Sequence, residues 1–133
     1  MDDAVVPVIP APHASPSPSG EVAFPSHAAA MRITVVMPTT DHGEPFARCA
    51  RMVRESLRNP GTGAGDEWIV VFDGQPPAPP PWLAESGVTL LATGSTLGPA
   101  AARHLGAEVA RGDVLLFVDA DVELADDALE RVR

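Results

Sequence analysis

Val114-Leu115-Leu116-Phe117-Val118 runs straight into Asp119-Ala120-Asp121, and the fold turns on how this stretch is read. Five consecutive apolar residues, β-branched at both ends and with an aromatic ring among them, read as a strand buried on both faces. Such strands belong to parallel sheets covered by helices, and ligands bind where their carboxyl ends open into a crevice. Two carboxylates at that lip, separated by an alanine too small to obstruct, can hold a divalent cation against phosphate oxygens. Mg²⁺ and Mn²⁺ suit all-oxygen ligation shared between one or two carboxylates and a substrate phosphate. A solvated acidic turn closing a strand is the other reading of the same residues, and acidic turns are common.

Upstream, the chain supplies the partners such a strand needs. Ile33-Thr34-Val35-Val36-Met37 is a predicted first strand, ended by Pro38, which cannot donate to a ladder. A helix is expected near Pro45–Arg58, where Phe46, Cys49, Ala50, Val53 and Leu57 fall on one apolar stripe. Arg48, Arg51, Arg54 and Arg58 take the other faces as a solvated surface, and Cys49 on the stripe reads as a small core residue.

Trp68-Ile69-Val70-Val71-Phe72 is a second buried strand, stopping at Asp73-Gly74, and Val88-Thr89-Leu90-Leu91 is a short third. Between them the run Pro76 to Pro81 predicts a stiff, extended surface loop. Pro99 opens a helix to about Ala110, with Ala102, Leu105, Gly106 and Val109 facing inward, and Asp126 or Asp127 starts a last one. The order β-α-β-β-α-β-α argues an open α/β sheet, mainly parallel, with flanking helices. Three strands then end in polar residues on one edge: Pro38-Thr39-Thr40-Asp41, Asp73-Gly74 and Asp119-Ala120-Asp121. Their convergence on one crevice carries more weight than any single motif.

Composition narrows the function. With 133 residues the chain holds one modest domain, expected over 31–133 and truncated at its C-terminal end. Residues 1–30 carry Pro7, Pro10, Pro12, Pro16, Pro18 and Pro25 among Ala, Ser and Gly, and read as a disordered leader. Asp2 and Asp3 stand where a signal peptide needs basic residues. No stretch approaches the ~20 apolar residues of a membrane span. A cytoplasmic location fits, with the inner face of a membrane as one place within it. The net charge is −9 and there is no lysine, which opposes nucleic-acid binding and removes any Walker A loop. Gly61-Thr62-Gly63-Ala64-Gly65 precedes a strand, the wrong context for a dinucleotide fingerprint, so it reads as a turn. A single cysteine excludes an internal disulfide and a cysteine zinc cluster.

Taken in order, these segments resemble the nucleotide-binding half of a family 2, GT-A-fold glycosyltransferase. The likeness runs from about Arg32 to Arg133. It rests on Val35-Val36-Met37-Pro38-Thr39-Thr40, on Trp68 to Gly74, on Gly98-Pro99-Ala100-Ala101-Ala102-Arg103-His104-Leu105-Gly106, and on Phe117-Val118-Asp119-Ala120-Asp121 as the Asp-x-Asp motif. The resemblance implies inverting transfer of a sugar from a nucleotide-sugar donor, a UDP-sugar in the commonest case, to an acceptor hydroxyl, with Mn²⁺ or Mg²⁺ at the diphosphate. It implies that Pro38, Thr39 and Thr40 line the nucleoside pocket and that Asp73 accepts a hydrogen bond from the base. Asp119 would contact ribose or diphosphate and share the metal with Asp121, and Arg103 would offset diphosphate charge. The catalytic base would lie downstream of Asp121, past where the chain ends. Phe72 and Gln75 depart from the family's Asp-Asp-Gly-Ser ending, Thr40-Asp41 from its Tyr-Asn, and His104 from its asparagine.

Two other functions compete. A non-catalytic nucleotide-binding fragment would have the same three acidic strand endings. A haloacid-dehalogenase-type phosphatase also places Asp-x-Asp after an apolar strand, with one Asp as nucleophile. Its motif usually opens the domain, and it needs a later lysine that this chain lacks.

Overall fold

The computed structural model describes residues 31–60 and 62–133, together with the backbone of residues 8–10. It contains β1 (Val8–Pro10), β2 (Ile33–Thr39), α1 (Glu44–Ser56), β3 (Glu67–Phe72), α2 (Pro81–Ala84), β4 (Thr89–Ala92), α3 (Pro99–Val109), β5 (Val114–Phe117) and α4 (Ala128–Val132). The strands form one sheet in the order β1-β5-β2-β3-β4. β5, β2, β3 and β4 run parallel, and β1 pairs antiparallel along the outer edge of β5. Sequence analysis assigned no strand at Val8–Pro10; the remainder of the expected leader lies outside the described residues.

Strand alternation sorts the core onto two faces. Ile33, Val35 and Met37 of β2, Trp68 and Val70 of β3 and Leu116 of β5 pack with Phe46, Cys49, Ala50 and Val53 of α1, Leu83 of α2 and Leu129 of α4. Val36, Ile69, Val71 and Leu115 point the other way and meet Ala102 of α3. The reason lies in the handedness of crossovers. The chain steps outward from β2 to β3 to β4 with its helices on one face. It then reverses direction to reach β5, and a right-handed crossover in the opposite direction must put α3 on the opposite face.

Three expectations need correction. The first strand does not stop at Pro38 but continues through it, with Pro38 opposite Val71 and Thr39 opposite Phe72. The Val36 carbonyl accepts from the Val118 N–H, and the Thr39 carbonyl from the Asp73 N–H, so alternate residues of β2 address β5 and β3 in turn. Pro38 therefore faces β5, whose ladder with β2 has already ended at Val36–Phe117, and its missing N–H costs no ladder bond. Val109, expected inward, is 41% exposed. The opening strand is not buried throughout, since Val114 and Phe117 are half-buried at either end of Leu115 and Leu116. The proline run leads into the short α2, which the sequence had not signalled.

Gly106 fixes how close α3 lies to the sheet. A Cβ there would come within 2.4 Å of Val36 Cγ1 and 3.2 Å of Val71 Cγ2, so only glycine lets the helix backbone settle onto the valines. At the opposite end of the sheet from the aspartate cluster, Asp66 acts as an anchor. Its carboxylate accepts the N–H of Ile33 (3.1 Å) and of Arg58 (2.8 Å), and it is ion-paired with the Arg133 guanidinium. Both side chains are buried, at 2% and 4% exposure. The arginine and the two N–H groups outweigh burial and hold the Asp66 carboxyl below the usual carboxylate range. No helix among the described residues is long and apolar enough to cross a membrane.

Candidate functional site

A cleft of about 370 Å³ opens at the carboxyl ends of the strands, lined by residues from Pro38 to Asp41, Pro45 and Phe46, Asp73, Pro99, and Asp119 to Asp121. Its position follows from the strand order. β3 and β4 lie to one side of β2 and β5 to the other, so the topology switches between β2 and β5. Adjacent loops diverge at a switch point and leave a crevice outside the strand ends. The three polar strand endings expected to converge do so here. Pro38, Thr39, Thr40, Asp73, Asp119 and Asp121 all line the cleft, while Arg103 reaches its rim from α3 by pairing with Asp119.

Thr39 is buried at the end of β2, and its hydroxyl donates to the Asp41 carbonyl, bending the chain toward α1. Asp41 Oδ1 accepts the Gly43 N–H at 2.7 Å, an Asx-type turn that leads into the helix. Thr40, at the tip, is exposed to the cleft. Phe46, expected only as a core residue of the α1 stripe, also forms part of the cleft wall. Its ring lies 4.9 Å from that of His42, which in turn meets Phe72 edge-on at 5.2 Å. Burial among these rings lowers the His42 pKa, which favours the neutral imidazole.

Asp73 sits where β3 ends, and its carboxylate organises a loop more than twenty residues on. Oδ1 accepts the Leu97 N–H (2.9 Å) and the Thr93 hydroxyl (3.0 Å), and Oδ2 accepts the Gly98 N–H (2.9 Å). The Leu97 N–H is the main cause that holds this carboxyl below its ordinary range, helped by Gly98 and Thr93 against a desolvation penalty. Gly98 has φ +99°, a left-handed conformation that favours glycine, and it sets the entry into α3 at Pro99. One lone pair of Oδ2 is left for a ligand. Thr93 had no sequence signal at all: its part comes only from β4 lying beside β3.

Asp119 and Asp121 follow β5 at the opposite wall. Arg103 Nη2 donates to Asp119 Oδ1 at 2.8 Å, with both side chains partly exposed, at 38% and 55%. The Arg103 Nε is buried and has no hydrogen-bond partner among the described residues. Asp121 is exposed to the cleft and takes part in no ion pair among the described residues. Beneath them Cys49 is buried, its Sγ 3.6 Å from the Asp119 carbonyl. Burial first, and the Asp121 charge second, push its thiol up to about 11, so it is a protonated core group. His104, also singled out in the sequence, is exposed and pairs with Glu108 at 3.3 Å one turn on.

The cleft is thus acidic: Asp41, Asp73, Asp119 and Asp121 line it, and among the described residues none of its lining side chains is basic, with Arg103 standing at the rim. Among the described residues no group of three or more His, Cys, Asp or Glu side chains is gathered in metal-binding geometry. Among the described residues, the cleft offers a cation the Asp119 and Asp121 carboxylates.

A family model described as glycosyl transferase family 2 matches residues 34–133. An uncharacterized glycosyltransferase of Haemophilus influenzae is 48% identical over 44 residues, which are 33% of this chain and 18% of that protein. The crystal structure of S. aureus TarS 1-349 superposes with a TM-score of 0.61 at 19% identity, over 77% of this chain and 31% of that one. That of S. aureus TarS gives 0.61 at 20% identity, over 77% and 19%. The structural likeness establishes the fold, and the chain spans less than a third of each of these relatives.

Proposed function

Since the chain belongs to glycosyl transferase family 2, we propose that its cleft binds a nucleoside-diphosphate sugar, a UDP-sugar first, for inverting transfer to an acceptor hydroxyl. Family membership also replaces the phosphatase alternative. The observation that carries the reading is the acidity of the cleft, which four aspartates line with no basic lining residue among the described residues. Such a wall repels a diphosphate unless a divalent cation stands between the two.

The donor set fits that cation. Asp119 and Asp121 are hard oxygen ligands, and two carboxylates without a third side chain leave coordination positions for phosphate oxygens and water, as Mg²⁺ and Mn²⁺ prefer. When bound, the ion would neutralise charge on the departing nucleoside diphosphate. The chain's own residues do the rest. Asp121, in no ion pair among the described residues, is the principal ligand, and Asp119 is shared with the ribose or diphosphate. Pro38, Thr39 and Thr40 line the nucleoside end, with Phe46 supplying an apolar wall. The remaining lone pair of Asp73 Oδ2 accepts from the base, while its other bonds hold Leu97 and Gly98 still. The first turn of α3, opening at Pro99 on the cleft, brings the positive end of the helix dipole to an anion.

Titration calorimetry tests this with UDP and a UDP-sugar, with and without Mn²⁺. The native chain should bind nucleotide more tightly with the metal, and Asp121→Ala should lose that increment. Equal affinity with and without metal overturns the metal assignment, and no binding of either nucleotide overturns the donor. Asp73→Ala should weaken nucleotide binding even without metal; an unchanged affinity contradicts the base contact.

A further inference from the structure

Four carboxylates line the cleft, yet three of them already have partners. Asp41 accepts from Gly43, Asp73 from Thr93, Leu97 and Gly98, and Asp119 from the Arg103 guanidinium. Among these partners only that of Asp119 is a charged side chain, so only there is the pairing electrostatic on both sides. Arg103 gains little from it. The pair is partly exposed, where ion pairs contribute little, and its geometry leaves the buried Nε–H with no acceptor among the described residues. The contact is therefore weak and leaves a polar group unsatisfied, as expected of an arrangement that a ligand can replace.

We propose that Arg103 is a positioning residue that couples nucleotide to metal. In the free protein it holds Asp119 against α3 and neutralises it, so that a cation alone meets a single unpaired carboxylate, Asp121. A diphosphate gives the guanidinium a better acceptor, a fork of anionic oxygens. Arg103 turns to it and Asp119 is released toward the metal and ribose. Nucleotide and metal then bind together, each raising the other's affinity by the same factor, as linkage requires. The inference rests on the donor-site reading above, and it adds a coupling to it: metal and diphosphate each bind poorly without the other.

The test uses the full chain and three titrations: Mn²⁺ alone, UDP alone, and UDP at saturating Mn²⁺. Native protein should bind Mn²⁺ alone weakly and UDP with Mn²⁺ on the order of tenfold or more tighter than UDP alone, within the usual range of coupling between sites. Arg103→Gln should move the two in opposite directions. Affinity for Mn²⁺ alone rises on the order of tenfold, since Asp119 is freed, while the enhancement of UDP binding by Mn²⁺ collapses. Arg103→Lys, which keeps the cation, should bind Mn²⁺ alone as weakly as the native chain. A merely structural Arg103 would weaken every titration together, and that result overturns the proposal. So does unchanged or weaker Mn²⁺ binding by folded Arg103→Gln. Failure of the native chain to bind UDP under any condition refutes the donor site itself, a separately recognisable outcome.

Discussion

Gly106→Ala sets two known effects of similar size against each other, and the structure decides which wins. Alanine is the best helix former, and replacing a glycine inside a helix gains roughly 1 kcal/mol from propensity alone. Gly106 lies in the interior of α3, so sequence reasoning would predict stabilisation. The added Cβ, however, would lie 2.4 Å from Val36 Cγ1, with Val71 Cγ2 at 3.2 Å. Neither valine can yield by rotamer: both are fully buried on central strands of the sheet, and β-branching makes χ1 stiff. The helix must lift instead, and overpacking of that kind costs about 1–3 kcal/mol. The expected balance is a net loss of about 1 kcal/mol, read as a lower urea midpoint at unchanged slope. Val36→Ala removes the clashing methyls, so the Val36→Ala/Gly106→Ala double variant should be more stable than the sum of the two single effects. An interaction of about 1 kcal/mol in a double-mutant cycle is the quantity to look for. A Gly106→Ala protein as stable as the native one, or more so, refutes the close-approach argument. Because α3 also carries Arg103, lifting it should weaken UDP binding.

Two further outcomes follow from the buried groups. Asp66→Asn leaves the Arg133 guanidinium buried without its counter-charge and should cost about 3 kcal/mol at neutral pH, measured by urea unfolding. Because the folded Asp66 pKa is depressed, its contribution is complete above the unfolded value near 3.9 and is lost as pH falls through the folded value. Asp66→Asn should accordingly show a shallower acid slope, and an identical slope would contradict the assignment. Cys49 should resist thiol reagents at neutral pH in the native state and react fast in denaturant, and fast native labelling would contradict its burial in the core.

Much of this molecule is legible along the chain because its signals are local. The apolar runs at Ile33, Trp68 and Val114 mark parallel strands, and the Phe46–Leu57 stripe marks the helix between the first two. Aspartates stand directly after two of those runs, where strand ends meet solvent. Pro38 misled for the opposite reason: whether a proline ends a strand depends on which neighbour its missing N–H faces. That is settled by the length of β5, almost eighty residues away. Val109 is the last residue of α3 and is exposed, while Ala110 after it joins the core cluster on that face of the sheet.

Three facts belong to the tertiary structure alone. The strand order sets β5 beside β2, so Asp119-Ala120-Asp121 faces Pro38 to Asp41 across a switch point. No local pattern encodes which strands become neighbours. Asp73 and Asp119 each read in the sequence as a contact to the nucleotide, and each proves to be engaged within the protein as well, one by the N–H groups of Leu97 and Gly98 and the other by Arg103. Asp66, which follows the glycine-rich run 61–65, is the buried anchor that ties the start of β2 to Arg133 after α4. A sequence fixes which side chains carry charge, because charge belongs to the residue. Which of those charges stays free to meet a ligand depends on donors brought in from elsewhere in the chain, and only folding supplies them.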